Sequence, residues 1–349
     1  MQFQNIKVNV ITGFLGSGKT TLIKRLLEQA PNDERWAILV NEFGEVGIDG
    51  ELIHDGAVAI KQVPGGCLCC VSSAAFSVGL NDLIKTAKPD RIIIEPTGIG
   101  HPHQIVEQLS AEHYQGVLEV CGTVCMMDVR NLSDPRYLGH PAFFDQIDDA
   151  DILIGSKADL YDADLEQRFL EFAKQFEPAK TLIALSANGE FDGAWLDLPR
   201  ATSNADHDHD HDHDHDHDHD HDHDHDHDHD HDHDHDHHSH VQSSQPAAGV
   251  VCYQKRDQGM ASIGWVTNAS WQISAERFEQ LLTTLKQQPG FWRFKGILQI
   301  DGRYEQLNMT ATELQRETDE SSASSRFECI FADDEQLNSV LDMLQKQLF

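Results

Sequence analysis

The chain has 349 residues, 39% of them hydrophobic, and a formal net charge of −33, which is enough apolar material for two globular units. Sixteen of its acids fall at the even positions 206–236, and the 43 acidic and 26 basic residues that remain still leave −17. That balance argues against nucleic acid and anionic membrane as partners, and no stretch approaches the roughly 20 apolar residues of a membrane span.

Residues 1–10 lack the basic and long apolar regions of a signal peptide, so a cytoplasmic protein is expected. Seven cysteines, three of them crowded at Cys67, Cys69 and Cys70, do not form a disulfide framework. They fit a reducing compartment in which thiols bind metal or do redox chemistry.

The apolar run KVNVIT (7–12) predicts a strand, and TTLIKRLLEQA, with Leu22, Leu26 and Leu27 at helical spacing, predicts a helix after a Gly-rich turn. Further buried strands are expected at WAILV (36–40), RIIIE (91–95), TVCMMDV (123–129), DILIGS (151–156) and TLIALS (181–186), with helical segments between most of them. This alternation implies an α/β domain over residues 1–200 with a mostly parallel sheet covered on both faces. Residues 201–249 lose all apolar periodicity and are expected to be a disordered His/Asp-rich linker.

A small α+β domain is expected over 250–349. It has a strand near 260–268, then Ser274 as N-cap of a helix carrying Phe278, Leu281, Leu282 and Leu285 on one face. Two strands follow that turn at Asp301 and Gly302, then the strand RFECIF and a closing helix.

GFLGSGKT (13–20) has the spacing G-x-x-x-x-G-K-[ST] and sits between the first strand and helix, the context in which such a loop cradles phosphates. The glycines let backbone N–H groups curl round phosphate oxygens, Lys19 supplies a cation, Thr20 a hydroxyl for Mg²⁺, and the helix N-terminus its dipole. Nucleotide contacts are therefore assigned to Gly13, Gly16, Ser17, Gly18, Lys19, Thr20 and Thr21. IIIEPTG offers Glu95 at a strand end as the acid that holds Mg²⁺ with Thr20 and orients water, and Gly98 for close backbone approach. VNEFGEVGID (40–49) places carboxylates among glycines and suits a segment that senses the γ-phosphate. Lys19, Glu95 and Asp49 are the expected catalytic groups.

SKAD (156–159) follows a strand as a guanine-reading N-K-x-D element does, with Ser156 in the place of Asn. The Lys157 stem would cover the base and Asp159 would pair with guanine donors, which favours GTP over ATP.

PGGCLCC gathers Cys67, Cys69 and Cys70 in a Gly-rich loop that can fold three thiolates round one ion, as a helix or strand cannot. Zn²⁺ and Cu⁺ both favour thiolates, and Glu42 would complete a tetrahedral zinc shell. Buried structural cysteines or a redox pair are the alternatives.

In this order, GFLGSGKTT, NEFGEVGIDG, GGCLCC, EPTGIG and SKAD resemble the CobW-like branch of the metal-accessory P-loop GTPases, relatives of HypB, UreG and MeaB, and within it are similar to the YeiR-type zinc metallochaperones. The likeness covers residues 7–200 and extends to RFKGILQIDG and SRFECIF in the second domain, which resemble the CobW C-terminal domain. It implies a GTPase that binds GTP or GDP with Mg²⁺, and carries Zn²⁺ on Cys67, Cys69 and Cys70 to client metalloproteins. It also implies a nucleotide- or metal-dependent homodimer. Relatives serving cobalt, nickel or iron leave the ion open.

The alternating tract holds 18 histidines, the first His207 and the last His240. Imidazoles interleaved with carboxylates offer many weak auxiliary metal sites. A local reservoir for the cysteine site and a storage protein dominated by the tract are both compatible with it, as is an acidic spacer. His101 and His103 are candidate accessory ligands or local surface groups, and Cys121, Cys125, Cys252 and Cys329 are expected to be packing residues.

Overall fold

The computed structural model describes residues 3–40, 58–62, 73–96, 98–201, 242–257, 259–320, 322–333 and 337–349. Glu42, Asp49, Cys67, Cys69, Cys70 and the tract from His207 to His240 lie outside the described residues.

The first sheet is built from β1 (Ile6–Thr12), β2 (Trp36–Val40), β3 (Val58–Gln62), β4 (Arg91–Glu95), β5 (Leu118–Val120), β6 (Val124–Asp128), β7 (Ile152–Ser156) and β8 (Leu182–Ser186). Its order is β3-β2-β4-β1-β6-β7-β8, with every pairing parallel. Strand β5 pairs with the start of β1 and β6 with its end, so one strand position is shared by two short strands. β2, β4, β6 and β7 are buried along their whole length, as expected of parallel strands covered on both faces.

Helices α1 (Lys19–Glu28), α2 (Ser73–Ala87), α3 (Pro102–Leu109), α4 (Pro135–Leu138), α5 (Pro141–Asp148) and α6 (Ala163–Ala173) supply the connections. On one face Leu22, Ile23 and Leu26 pack against Ile38, Ile93 and Met126. On another Phe76, Leu80, Ile84 and Ile105 meet Val8, Val10 and Ile92. Strand β3, at the sheet edge, was not anticipated, because VAIKQ has an apolar run of only three residues, too short to stand out beside the longer runs of the central strands.

The second sheet is antiparallel. Its strands β9 (Gln242–Ala247), β10 (Val250–Asp257), β11 (Met260–Thr267), β12 (Phe291–Ile300), β13 (Arg303–Thr310), β14 (Leu314–Asp319) and β15 (Arg326–Ala332) lie in the order β14-β13-β12-β15-β11-β10-β9. Helices α7 (Ala275–Gln287) and α8 (Leu337–Leu348) bury Phe278, Leu281, Leu282, Leu285, Leu344 and Leu348 against Trp265, Phe294 and Phe327. Ser274 caps α7 by accepting from the Arg277 N–H at 3.3 Å. Ile300 pairs directly with Arg303, and Asp301 and Gly302 have φ of 47° and 83°, the left-handed pair that a two-residue hairpin requires.

One boundary is corrected: β9 falls within residues 201–249, which were expected to be linker throughout. QSSQPA has no apolar face of its own, and its pairing with the edge of β10 recruits it into the sheet.

The face of the second sheet away from α7 and α8 is also covered. Met260, Trp292 and Ile330 share an apolar cluster with Phe14, Tyr137, Phe143 and Leu153 of the first domain. The Phe14 ring lies at 5.4 Å from Tyr137 and from Trp292, edge to face in both cases. Phe14 belongs to the glycine loop itself, so the second sheet packs directly on that loop.

Candidate nucleotide-binding site

The carboxyl ends of parallel strands β1, β4 and β7 bring the described residues of the phosphate loop, Glu95 and the SKAD loop to one edge of the sheet, at the place where open α/β sheets bind ligands. β1 runs into residues 13–18 and α1 starts at Lys19, with Gly18 as N-cap and no side chain capping the first turn. Those N–H groups are left to an anion or to solvent. Gly13 has φ 134°, and a Cβ there would lie 2.1 Å from the Met126 carbonyl oxygen, so only glycine fits. Gly98 is pressed against the same loop, where a Cβ would come within 3.0 Å of Leu15 N, Gly13 O and Phe14 C.

Gln146 of α5 ties these pieces together: its Oε1 accepts from the Gly13 N–H at 3.0 Å and pairs with the Thr12 hydroxyl, and its Nε2 donates to the Gly100 carbonyl. Sequence reasoning missed Gln146, since a lone helical Gln has no local signature.

Lys19 is buried, and its Nζ donates to the Gly13 and Phe14 carbonyls at 2.8 and 3.3 Å. Its pKa is pushed down to about 8, chiefly by burial, with Glu95 opposing and the charges of Arg293 and Lys295 on β12 adding to the fall. The second sheet thus places positive charge near the phosphate loop, which no motif announced.

Thr20 Oγ1 donates to Glu95 Oε1 at 3.1 Å across 75 residues of sequence. A hydroxyl and a carboxylate held together in this way are two hard oxygen donors, and they fit Mg²⁺. Ser17 is buried, and its Oγ has no partner among the described residues. Thr21 is exposed and lies under Gly189, where a Cβ would approach its methyl at 3.1 Å.

At the other end, Ser156 Oγ donates to the Ser17 carbonyl at 2.7 Å, so the residue that departs from Asn links the SKAD loop to the phosphate loop. Lys157 is left-handed with φ 60°. Asp159 Oδ1 accepts from the Asn188 N–H at 3.3 Å, which sets the SKAD loop beside the SANG turn (186–189) after β8. That turn also went unread, although Asn188 and Gly189 carry the residue types of a left-handed turn and have φ of 52° and 77°.

Other candidates do not converge on this site. His101 faces Asp145 at 3.2 Å and His103 faces Glu107 at 3.1 Å. Among the described residues no three His, Cys, Asp or Glu side chains form a metal-holding group. Cys121, Cys125, Cys252 and Cys329 are buried without disulfides, and burial raises each thiol, Cys125 to about 12, which leaves them as unreactive packing groups. Among the described residues no helix is long and apolar enough to cross a membrane.

Residues 7–184 match the family model described as CobW/HypB/UreG, nucleotide-binding domain. The chain is 46% identical over 194 residues to the zinc chaperone YeiR of Escherichia coli K12, covering 56% of this chain and 59% of that protein. It is 29% identical over 217 residues to the zinc chaperone CobW of Pseudomonas aeruginosa, covering 53% and 57%. The match therefore spans less than two thirds of either relative. Among solved structures, the Zn(II)-bound YjiA GTPase from E. coli aligns over 98% of this chain and 99% of that one, at 18% identity and a TM-score of 0.41. The family match spans just over half of the chain and contains the phosphate loop, Glu95 and the SKAD loop, and so the chain belongs to the CobW/HypB/UreG family.

Proposed function

We propose that the chain is a zinc metallochaperone that hydrolyses GTP to GDP and phosphate and couples the nucleotide state to holding zinc on Cys67, Cys69 and Cys70. The observation that carries the nucleotide half is the Thr20–Glu95 contact beside the buried Lys19. Phosphate charge meets Lys19 and the uncapped start of α1, while Thr20 and Glu95 would hold Mg²⁺. That ion would supply positive charge to offset the phosphate charge. In this reading Glu95 also accepts a hydrogen bond from the attacking water and so orients it. Asp49 keeps the catalytic role expected from sequence, and Glu42 that of a fourth zinc ligand. Lys157 and Asp159 read the base, with guanine preferred.

The metal half rests on the C-x-C-C spacing and on relatives named zinc chaperones. A site tight enough to hold zinc in a cytoplasm releases it slowly, and a nucleotide-driven difference in affinity between two states relieves that. Client metalloproteins receive the ion, and the active form is a nucleotide- or metal-dependent homodimer. The tract from His207 to His240 acts as a weak reservoir. A storage protein built on that tract is the second reading, favoured by its 18 histidines alone.

The test is zinc affinity by competition with a chromophoric chelator, with a non-hydrolysable GTP analogue or with GDP bound. We expect at least about a fivefold difference, corresponding to a coupling of about 1 kcal/mol. Equal affinities in the two states refute the coupling.

A further inference from the structure

Lys157 Nζ lies 2.6 Å from Glu313 Oε2 and 3.1 Å from Asp128 Oδ2. Arg130 donates to the same Asp128 carboxylate through Nε at 3.0 Å and Nη2 at 2.7 Å, and it also pairs with Glu313. Two acids and two bases thus form one network with no net charge, and its side chains are between 7% and 25% exposed. Three members come from the carboxyl edge of the first sheet. Glu313 comes from the second sheet, in the turn between β13 and β14, 156 residues beyond Lys157.

That turn is fixed by its own hydrogen bonds, Thr310 N to Glu313 O at 2.9 Å and Glu313 N to Thr310 Oγ1 at 3.3 Å. Its other end touches the phosphate loop, where a Cβ on Gly16 would lie 3.0 Å from Thr310 Cγ2. A single hairpin tip therefore meets both the phosphate loop and the base-reading loop.

A four-carbon lysine stem covers a base well only when its rotamers are restricted, since otherwise binding must immobilise it. Asp128 gives Lys157 one anchor but shares it with the bidentate Arg130. Glu313 gives it a second and shorter one through Oε2, while Arg130 takes the Oε1 of the same carboxylate.

We propose that Glu313 is a positioning residue of the nucleotide site: it holds the Lys157 stem over the base, so that base recognition requires the second sheet to be seated on the first. This rests on the nucleotide reading given above. It makes docking of the second sheet and occupancy of the base site mutually dependent, because whatever favours one favours the other.

The test uses the full chain and its Glu313→Gln variant, with dissociation constants for fluorescent GDP and ADP and competition by inorganic pyrophosphate. The expected result is GDP binding weakened about fivefold, a smaller preference for GDP over ADP, and unchanged pyrophosphate binding. Glu313→Asp, which keeps the charge, recovers most of the GDP affinity, as a general packing defect would not. GDP and ADP affinities equal to wild type overturn the proposal, and so does a loss of pyrophosphate binding as large as that of GDP. A wild-type chain that binds pyrophosphate but discriminates no base overturns the nucleotide reading beneath it, an outcome distinct from either.

Discussion

At the phosphate end of the site, the loop itself is a run of neighbours in sequence and largely backbone, residues 13–20; among the described residues Glu95, Gly98, Met126, Gln146 and Ser156 reach it from elsewhere in the first domain, and Trp292 and Thr310 from the second sheet. At the base end, Asp128, Arg130, Ser156, Lys157, Asp159 and Asn188 come from three strand ends, and Glu313 comes from another sheet. The phosphate end is fixed by close backbone approach, which tolerates no added Cβ at Gly13. Ion pairs fix the base end, and they can be exchanged. Affinity should therefore reside mainly in the first and tunable selectivity in the second.

Lys19→Ala attacks the first end and should have the largest effect, on the order of a 100-fold loss of GDP affinity by calorimetry, because charge-assisted bonds to phosphate disappear. A loss below about fivefold, like that expected at Glu313, would erase the contrast between the ends. Glu95→Gln removes the carboxylate charge but keeps the shape. It should lower GTP turnover about 100-fold while GDP binding stays near wild type; unchanged turnover would remove Glu95 from the chemistry.

The third effect is a pH dependence. Burial lowers Lys19 to about 8 in the free chain, with Glu95 opposing and Arg293 and Lys295 adding to the fall. Bound phosphate favours the charged ammonium, so its pKa rises in the complex. Below pH 8 both states are protonated and affinity is level. Above it the free chain loses the proton that binding must restore, and affinity falls by up to about tenfold per pH unit. A level profile from pH 7 to 9.5 would mean that Lys19 does not carry the phosphate charge.

The same contrast explains what the sequence could disclose. The phosphate loop was legible because its chemistry is encoded in eight consecutive residues, and the six apolar strand runs identified the parallel sheet because burial on both faces leaves no polar alternation. Edge strand β3 and recruited strand β9 were not legible, since the first has only three consecutive apolar residues and the second is mostly polar. Gln146, Arg293 and Glu313 act through contacts more than 100 residues away in the chain. A single Gln, Arg or Glu in a helix, strand or turn carries no local mark of that.

The central claim, that nucleotide turnover and metal carriage are one function, is tested most directly by steady-state GTP hydrolysis as a function of free Zn²⁺, in the wild-type chain and in Cys67→Ser. The account predicts that Zn²⁺ changes the wild-type rate and that Cys67→Ser removes the response while leaving GDP binding intact. A rate indifferent to Zn²⁺, or a response that survives in Cys67→Ser, would contradict it.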